Sequence, residues 1–476
     1  MTAWIRSLPD RYGRTTLIVL AAILALGLGL RAYRVAEPLR TPGDDAAAYY
    51  DLSKSLYEEG SYGSPGFRDA SDWSPGAPLL YAGSFYATGG AREGTARIVE
   101  MLLGVAAILV VFLLARRIAG GPAGLIAAFG AAVYPPFIHS TGALFSEPPA
   151  IFTLPAAVLA FLWAADSLSN TLPFVGPGVR GVEDSSARSA PLAPGLTYAR
   201  WLLPGLLFGV TAVIRPEYLA VGVAFVLLAG FRVLKARGGR PGLAAAGLMV
   251  AALLLPIVPW TVRNVVVLDR VVPISTGGGK ALYVGTYLPA DGEYQRVKAL
   301  LAQRYLGRDL EPGSEALDAV EPAPLFDRVA ATHPDLPRDE ALGRIGKENL
   351  YDYVEEEPVG YAAMTVRKVW RMWSAGIGEA MSSTAGRVVQ VALVLLALAG
   401  LGLLARLRRW WELIALATPI AIVSLVGAAS LAAPRRNEIL MTLVFPLAAA
   451  ALARAVGALS SSDPWSSRSQ ASSPPS

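Results

Sequence analysis

Apolar runs long enough to cross a lipid bilayer recur along this chain, and no other feature restricts its fold so severely. The hydrocarbon core is about 30 Å thick and takes roughly 20 largely apolar residues per helical crossing. Runs of this kind lie at Thr15–Ala32, Ile98–Ala115, Pro122–Ile138, Pro148–Ala165, Leu243–Val262, Val388–Ala405, Trp410–Leu431 and Ile439–Val456. The stretch Trp201–Phe231 would make a single helix about 46 Å long, and Arg215-Pro216-Glu217 interrupts it. An interior proline breaks or kinks a helix, so the stretch reads as two short helices. The expectation is an all-α multi-pass membrane protein of about ten transmembrane helices, two of them short. Composition agrees: 17% of the 476 residues are charged and 54% hydrophobic, against roughly a quarter charged in ordinary soluble domains.

Basic residues in short loops mark the cytoplasmic side. Arg6, Arg11 and Arg14 precede the first run, and Arg116 and Arg117 follow the second. Arg232, Lys235, Arg237 and Arg240 follow the sixth, and Arg406, Arg408 and Arg409 the eighth. All fall on one side when Trp201–Phe231 counts as two helices, which puts both termini in the cytoplasm. The first run has no small-residue cleavage site after it and reads as an uncleaved anchor. The chain then divides into a cytoplasmic start and first span (1–32), an outer loop (33–97), and a bundle (98–262) with a cytoplasmic linker at 166–200. A second outer region (263–387), C-terminal spans (388–456) and a Ser/Pro-rich cytoplasmic tail (457–476) complete it. Both outer loops are expected to carry amphipathic helices.

The chain has no cysteine, which excludes disulfides, thiolate metal sites and cysteine nucleophiles, and its two histidines cannot build a multi-histidine zinc site. No glycine-rich nucleotide signature is present; Gly277-Gly278-Gly279 lacks the strand–turn–helix context and reads as a tight turn. Chemistry is therefore expected on the outer loops, where no nucleotide cofactor is at hand and a substrate must arrive already activated. A sugar on a polyprenyl phosphate is such a substrate.

Pro42-Gly43 makes a turn, and Asp44 or Asp45 then caps a helix running through Glu59 to Gly60. Adjacent helical residues point about 100° apart, so the two carboxylates do not face each other as an acid–base pair. One can cap or support while the other acts as a general base on an acceptor hydroxyl. A phosphate leaving group departs without a proton, so one carboxylate suffices, unlike the two of a glycosidase.

Several stretches resemble the type C glycosyltransferases, and more narrowly the bacterial protein-mannosyltransferase and aminoarabinose-transferase branch, which depends on polyprenyl-phosphate sugars. They are Asp44-Asp45 with Tyr49, Ser74-Pro75-Gly76-Ala77-Pro78, Phe145-Ser146-Glu147-Pro148, Arg215-Pro216-Glu217, Pro259-Trp260-Thr261-Val262-Arg263-Asn264, Pro273 to Gly279, and Pro434-Arg435-Arg436. The resemblance implies an inverting membrane transferase with Asp44 as base and Asp45, often Glu in the family, beside it. Glu147 then orients the acceptor or joins Asp44 at a divalent ion, or else only complements a helix N-terminus. The outer-face arginines Arg215, Arg263, Arg435 and Arg436, with Lys280 as a weaker candidate, either hold the donor phosphate or meet lipid headgroups. Tyr49 and His139 are support residues; Trp370 and Trp373, with Arg367, Lys368 and Arg371, suggest an interfacial helix.

The expected partners are a polyprenyl-phosphate-linked sugar, an acceptor protein, lipid or glycan, and the bilayer, with no nucleic acid. No cofactor is expected and a divalent metal is not favoured. The expected place is a bacterial plasma membrane, with the site on the extracytoplasmic face. The alternative reading is a transporter or flippase of a lipid-linked sugar, which would carry mid-membrane ionisable residues and internal repeats.

Overall fold

The structure is a computed structural model and describes residues 13–37, 44–63, 70–166, 198–237 and 239–461. The helices are α1 (Arg14–Ala36), α2 (Asp44–Glu58), α3 (Gly76–Thr88), α4 (Glu93–Val133), α5 (Pro135–Ser140), α6 (Glu147–Asp166), α7 (Leu202–Ile214), α8 (Tyr218–Arg237) and α9 (Gly239–Leu268). They continue with α10 (Gly278–Thr286), α11 (Tyr294–Leu306), α12 (Glu315–Asp318), α13 (Pro322–Ala330), α14 (Arg338–Glu356), α15 (Pro358–Ser374), α16 (Glu379–Ser382), α17 (Thr384–Arg406), α18 (Trp410–Ala429) and α19 (Pro434–Ser461). Among the described residues, eight helices are long and apolar enough to cross a membrane, and α7 is a shorter apolar helix. This is a multi-pass, all-helical membrane protein.

The longest helix, α4, is a hairpin. Its backbone leaves helical geometry at Ala119 and Gly120, where Gly120 takes φ 86°, a conformation glycine adopts without strain. Pro122 then starts the second arm, a favoured place for proline. The arms run back on each other: Arg31 lies against Gly104 in one and donates to the Ala131 and Ala132 carbonyls (3.2 Å each) in the other. The second arm stops at Val133 rather than at the expected Ile138. Pro135 disfavours helical geometry in Tyr134 before it, which is extended at ψ 117°.

The break in Trp201–Phe231 falls where the sequence puts it. Arg215 is extended (φ −143°, ψ 108°) ahead of Pro216. The two short helices fold back so that Phe208 meets Phe225 at 4.4 Å between ring centroids, and both pack on α9. The membrane bundle shares one apolar core from Leu20 to Ala450.

The region 263–387 builds its own core from Tyr283 to Leu342. Two expectations change there. The turn expected at Gly277–Gly279 is confined to Gly277, which caps α10; Gly278 and Gly279 are helical, and a Cβ on Gly279 would strike the Asp339 carbonyl of α14. The glycine is needed for close approach. The helix α15 is amphipathic, but Lys368 is buried, donating to the carbonyls of Gly285 (2.6 Å), Ala428 (2.9 Å) and Ser430 (3.1 Å). A cation at the α18 C-terminus complements its unsatisfied carbonyls. Arg367 and Arg371 of the same helix grip Asp291. Residues 167–197 of the expected linker, the Pro42-Gly43 turn and the tail past residue 461 lie outside the described residues.

Candidate active site

Four chain breaks converge at one end of the bundle. They are the start of α2, the 141–146 loop entering α6, the Arg215 break between α7 and α8, and the start of α19. Helix ends carry free backbone groups and hold side chains in fixed directions, so each break delivers a polar residue to one place. A cavity of about 220 Å³ results, lined by Asp45, Tyr49, Ser74, Ser146, Ile214, Arg215, Pro216, Glu217, Leu431, Ala433, Arg435 and Arg436.

Glu147 is completely buried and meets two of the lining arginines. Arg435 donates to it as a fork, Nε to Oε1 at 2.8 Å and Nη2 to Oε2 at 3.2 Å. Arg215 donates from Nη1 to the same Oε1 at 2.8 Å and to Ser146 Oγ at 3.3 Å. Its Nε donates to Glu217 Oε1 at 3.0 Å. The remaining arm of Arg435 donates to Asp45 Oδ2, and its guanidinium lies 4.9 Å from the Phe145 ring centroid. Arg436 donates to Ser430 Oγ at 3.3 Å. Paired this way, charges survive burial that would be prohibitive singly.

The electrostatics follow. Burial works against the charge on Arg215, but Glu217 and then Glu147 outweigh it and hold the guanidinium well above its ordinary value. Burial would raise the Glu217 carboxyl; Arg215, then Arg436, hold it below the usual carboxylate range. Burial pushes the Tyr49 hydroxyl up to about 12, against a hydrogen bond from Ser146 and with the charges of Asp45 and Glu147 adding. Tyr49 is thus a neutral phenol on the cavity wall at physiological pH.

The candidates named from sequence separate into two groups. Asp45, Tyr49, Glu147, Arg215, Arg435 and Arg436 are brought together. Arg263 lies elsewhere, donating to the Tyr62 carbonyl (2.9 Å) and Asn264 Oδ1 (3.1 Å), with its guanidinium near the Tyr62 and Trp260 rings. Lys280 faces the Phe326 ring at 5.9 Å, within the 263–387 region. His139 ends α5 beside Gly378. Asp44 opens α2; its side chain lies outside the described residues. Glu217, Ser146 and Phe145 were not singled out, although the motifs quoted for their neighbours contain them. For Glu217 the signal was available: a carboxylate two residues from Arg215, in an otherwise apolar stretch, calls for a partner. Among the described residues, no three metal-ligating side chains gather at one point.

The profile of the Dolichyl-phosphate-mannose-protein mannosyltransferase family matches residues 72–179. No curated protein matches the chain in sequence. Among solved structures, the archaeal oligosaccharyltransferase AglB from Archaeoglobus fulgidus, in complex with an inhibitory peptide and a dolichol-phosphate, superposes with TM-score 0.54 at 16% identity, covering 95% of this chain and 51% of that one. The apo form of the Archaeoglobus fulgidus oligosaccharyltransferase gives TM-score 0.56 at 18% identity, with 95% and 52% covered. ArnT from Cupriavidus metallidurans matches at TM-score 0.38 and 15% identity, over 90% of this chain and 76% of that one, too low to bear on the fold. The chain spans about half the length of the oligosaccharyltransferases it matches. Over residues 72–179 the chain is thus similar to that mannosyltransferase family, and along most of its length it shares its fold with the oligosaccharyltransferases.

Proposed function

We propose that the chain transfers a sugar from a polyprenyl-phosphate donor to an acceptor hydroxyl, with inversion, on the extracytoplasmic face of a bacterial plasma membrane. The observation that carries this reading is the meeting of Arg215, Arg435 and Arg436 with the Asp44-Asp45 end of α2 at one cavity. Guanidinium groups recognise phosphate oxygens through paired hydrogen bonds. A carboxylate beside them provides the complementary group, a proton acceptor. AglB was solved with a dolichol-phosphate and a peptide, which supports a lipid-linked donor and a protein acceptor for a chain of the same fold.

In this mechanism the arginines hold the donor phosphate and leave Glu147 as their fixed counter-charge. The resemblance to the type C transferases gives the role of base to Asp44, and Asp45 beside it is engaged by Arg435. The acceptor oxygen attacks the anomeric carbon from the face opposite the phosphate. Its proton passes to Asp44 as the bond from that carbon to the phosphate oxygen breaks, and the carrier departs as a phosphate monoester. The arginines neutralise the charge that develops on the leaving oxygen.

Sidedness is supported by the opposite ends of α6. Glu147 begins it at the cavity, and Asp166 ends it in a cluster with Arg117, Glu412 and Arg409. Twenty helical residues span about 30 Å, the thickness of the hydrocarbon core. Arginine-rich connections lie at the second end, as the positive-inside rule requires of the cytoplasmic side.

The test is a transfer assay on the purified chain with several radiolabelled polyprenyl-phosphate sugars and acceptor peptides, lipids and glycans. Loss of label from the carrier into an acceptor is expected. Transport of an intact lipid-linked sugar across a vesicle membrane, without transfer, would replace this reading by that of a flippase.

A further inference from the structure

One buried cluster, Glu100 with Arg97 and Tyr81, has no residue among those lining the cavity. Glu100, on the first arm of α4, is fully buried. Its Oε2 accepts from the backbone N–H of Gly142 (2.7 Å) and of Leu144 (3.2 Å). One turn earlier on the same helix face, Arg97 donates from Nε to the Gly142 carbonyl at 2.9 Å. The two side chains therefore hold opposite sides of one residue. From α3, the Tyr81 hydroxyl lies within hydrogen-bond reach of both Glu100 and the Phe145 carbonyl, the latter at 2.6 Å.

The loop held this way is under strain. Gly142 and Leu144 both take the left-handed conformation, φ 77° and 58°, and a leucine there is disfavoured unless its surroundings impose it. The three residues that follow serve the site: the Phe145 ring lies by the Arg435 guanidinium, Ser146 accepts from Arg215, and Glu147 pairs with both arginines. A buried carboxylate that accepts several backbone N–H groups belongs where a segment must be fixed.

We propose that Glu100 is a positioning residue for transfer: with Arg97 and Tyr81 it clamps the 141–146 loop and so sets where Glu147, Arg215 and Arg435 stand. The proposal rests on the transferase reading, because its catalytic consequence is the placement of phosphate-holding arginines. Glu100 touches no substrate. It acts through the loop, and a misplacement of about 1 Å in a site can cost on the order of 100-fold in rate.

The experiment uses the full chain in lipid nanodiscs. Glu100→Gln keeps the shape but has one acceptor oxygen in place of two: with it set toward the Gly142 and Leu144 N–H groups, the N–H₂ confronts the Tyr81 hydroxyl, which can no longer donate to Glu100. Amide hydrogen exchange on peptides covering 141–146, thermal midpoint, transfer kinetics and binding of undecaprenyl phosphate are compared with wild type. The expected result is faster exchange at Gly142 and Leu144 with α4 and α6 still protected. With it, kcat falls by about 10- to 100-fold and the donor KM changes little. Tyr81→Phe removes only the hydroxyl; it is expected to lower kcat several-fold at an unchanged thermal midpoint, and it decides the matter should Glu100→Gln fail to fold. Unchanged exchange in the loop overturns the proposal, as does accelerated exchange with intact kcat. If the wild type transfers sugar from no carrier, the transferase reading falls separately. The exchange data still decide the clamp, and undecaprenyl phosphate binding reads its effect on the arginines.

Discussion

Arg435 and Glu147 meet as a fork, two hydrogen bonds of 2.8 and 3.2 Å between residues 288 positions apart, and the same guanidinium also reaches Asp45. That one side chain joins α2, α6 and α19 at the cavity. It makes the site a set of arginines held by carboxylates and turned toward a shared space.

Removing the central carboxylate leaves Arg215 and Arg435 without their common counter-charge. Breaking a buried pair costs about 3–5 kcal/mol, and the partial exposure of Arg435 favours the lower end. Glu147→Ala is expected to unfold at a markedly lower temperature. Inorganic phosphate, binding the folded state, should restore more stability to this variant than to wild type. Thermal unfolding with and without phosphate measures both.

Among the described residues Arg436 differs from its neighbour in making a single side-chain hydrogen bond, to Ser430 Oγ. Arg436→Ala should therefore change thermal stability little. A charge-assisted hydrogen bond is worth about 1.5–3 kcal/mol, so affinity for undecaprenyl phosphate should fall by roughly tenfold or more. Arg435→Ala should lose both stability and affinity. Titration of each variant separates the two arginines.

A pH effect belongs to the 263–387 region rather than the site. Burial pushes the Asp339 carboxyl up from 3.8 to about 6, against a hydrogen bond from the Gly279 N–H and with Asp72 adding. A carboxyl raised in the folded state binds its proton more tightly there than in the unfolded chain. Stability is then gained as pH falls from about 6 toward 4 and lost as it rises through that window. Asp339→Asn should flatten this dependence in thermal unfolding scans across pH 4 to 7. An unchanged slope would place the titrating group elsewhere.

Because arginines are in place for the phosphate charge, transfer is expected to survive a chelator such as EDTA. A loss of rate restored by added magnesium would count against that account.

The sequence carries the bundle and half of the site. Spans were legible because length and hydropathy in lipid leave little choice, and the broken α7–α8 unit because Pro216 dictates the geometry of Arg215. Arg215, Arg435 and Arg436 stood out as arginines in connections that the positive-inside pattern assigns to the other side. Arg263 met the same rule, yet it packs on Tyr62 and Trp260, since charge and sidedness do not say what a side chain touches. Glycines in a row read as a turn at Gly277–Gly279, whereas the use of Gly279 is the close approach of α14, a tertiary demand invisible in local sequence. Glu100 was hidden for a related reason. A carboxylate in an apolar run reads as the edge of a span until the 141–146 loop is folded against it.

The central claim is that Asp44, rather than Asp45, takes the acceptor proton, and single-turnover transfer by Asp44→Asn beside Asp45→Asn tests it most directly. The account predicts that Asp44→Asn abolishes transfer while still binding undecaprenyl phosphate. Asp45→Asn should instead retain measurable transfer with weakened carrier binding, through its contact with Arg435. Full transfer by Asp44→Asn would contradict the account, and so would abolished transfer with intact carrier binding in Asp45→Asn alone.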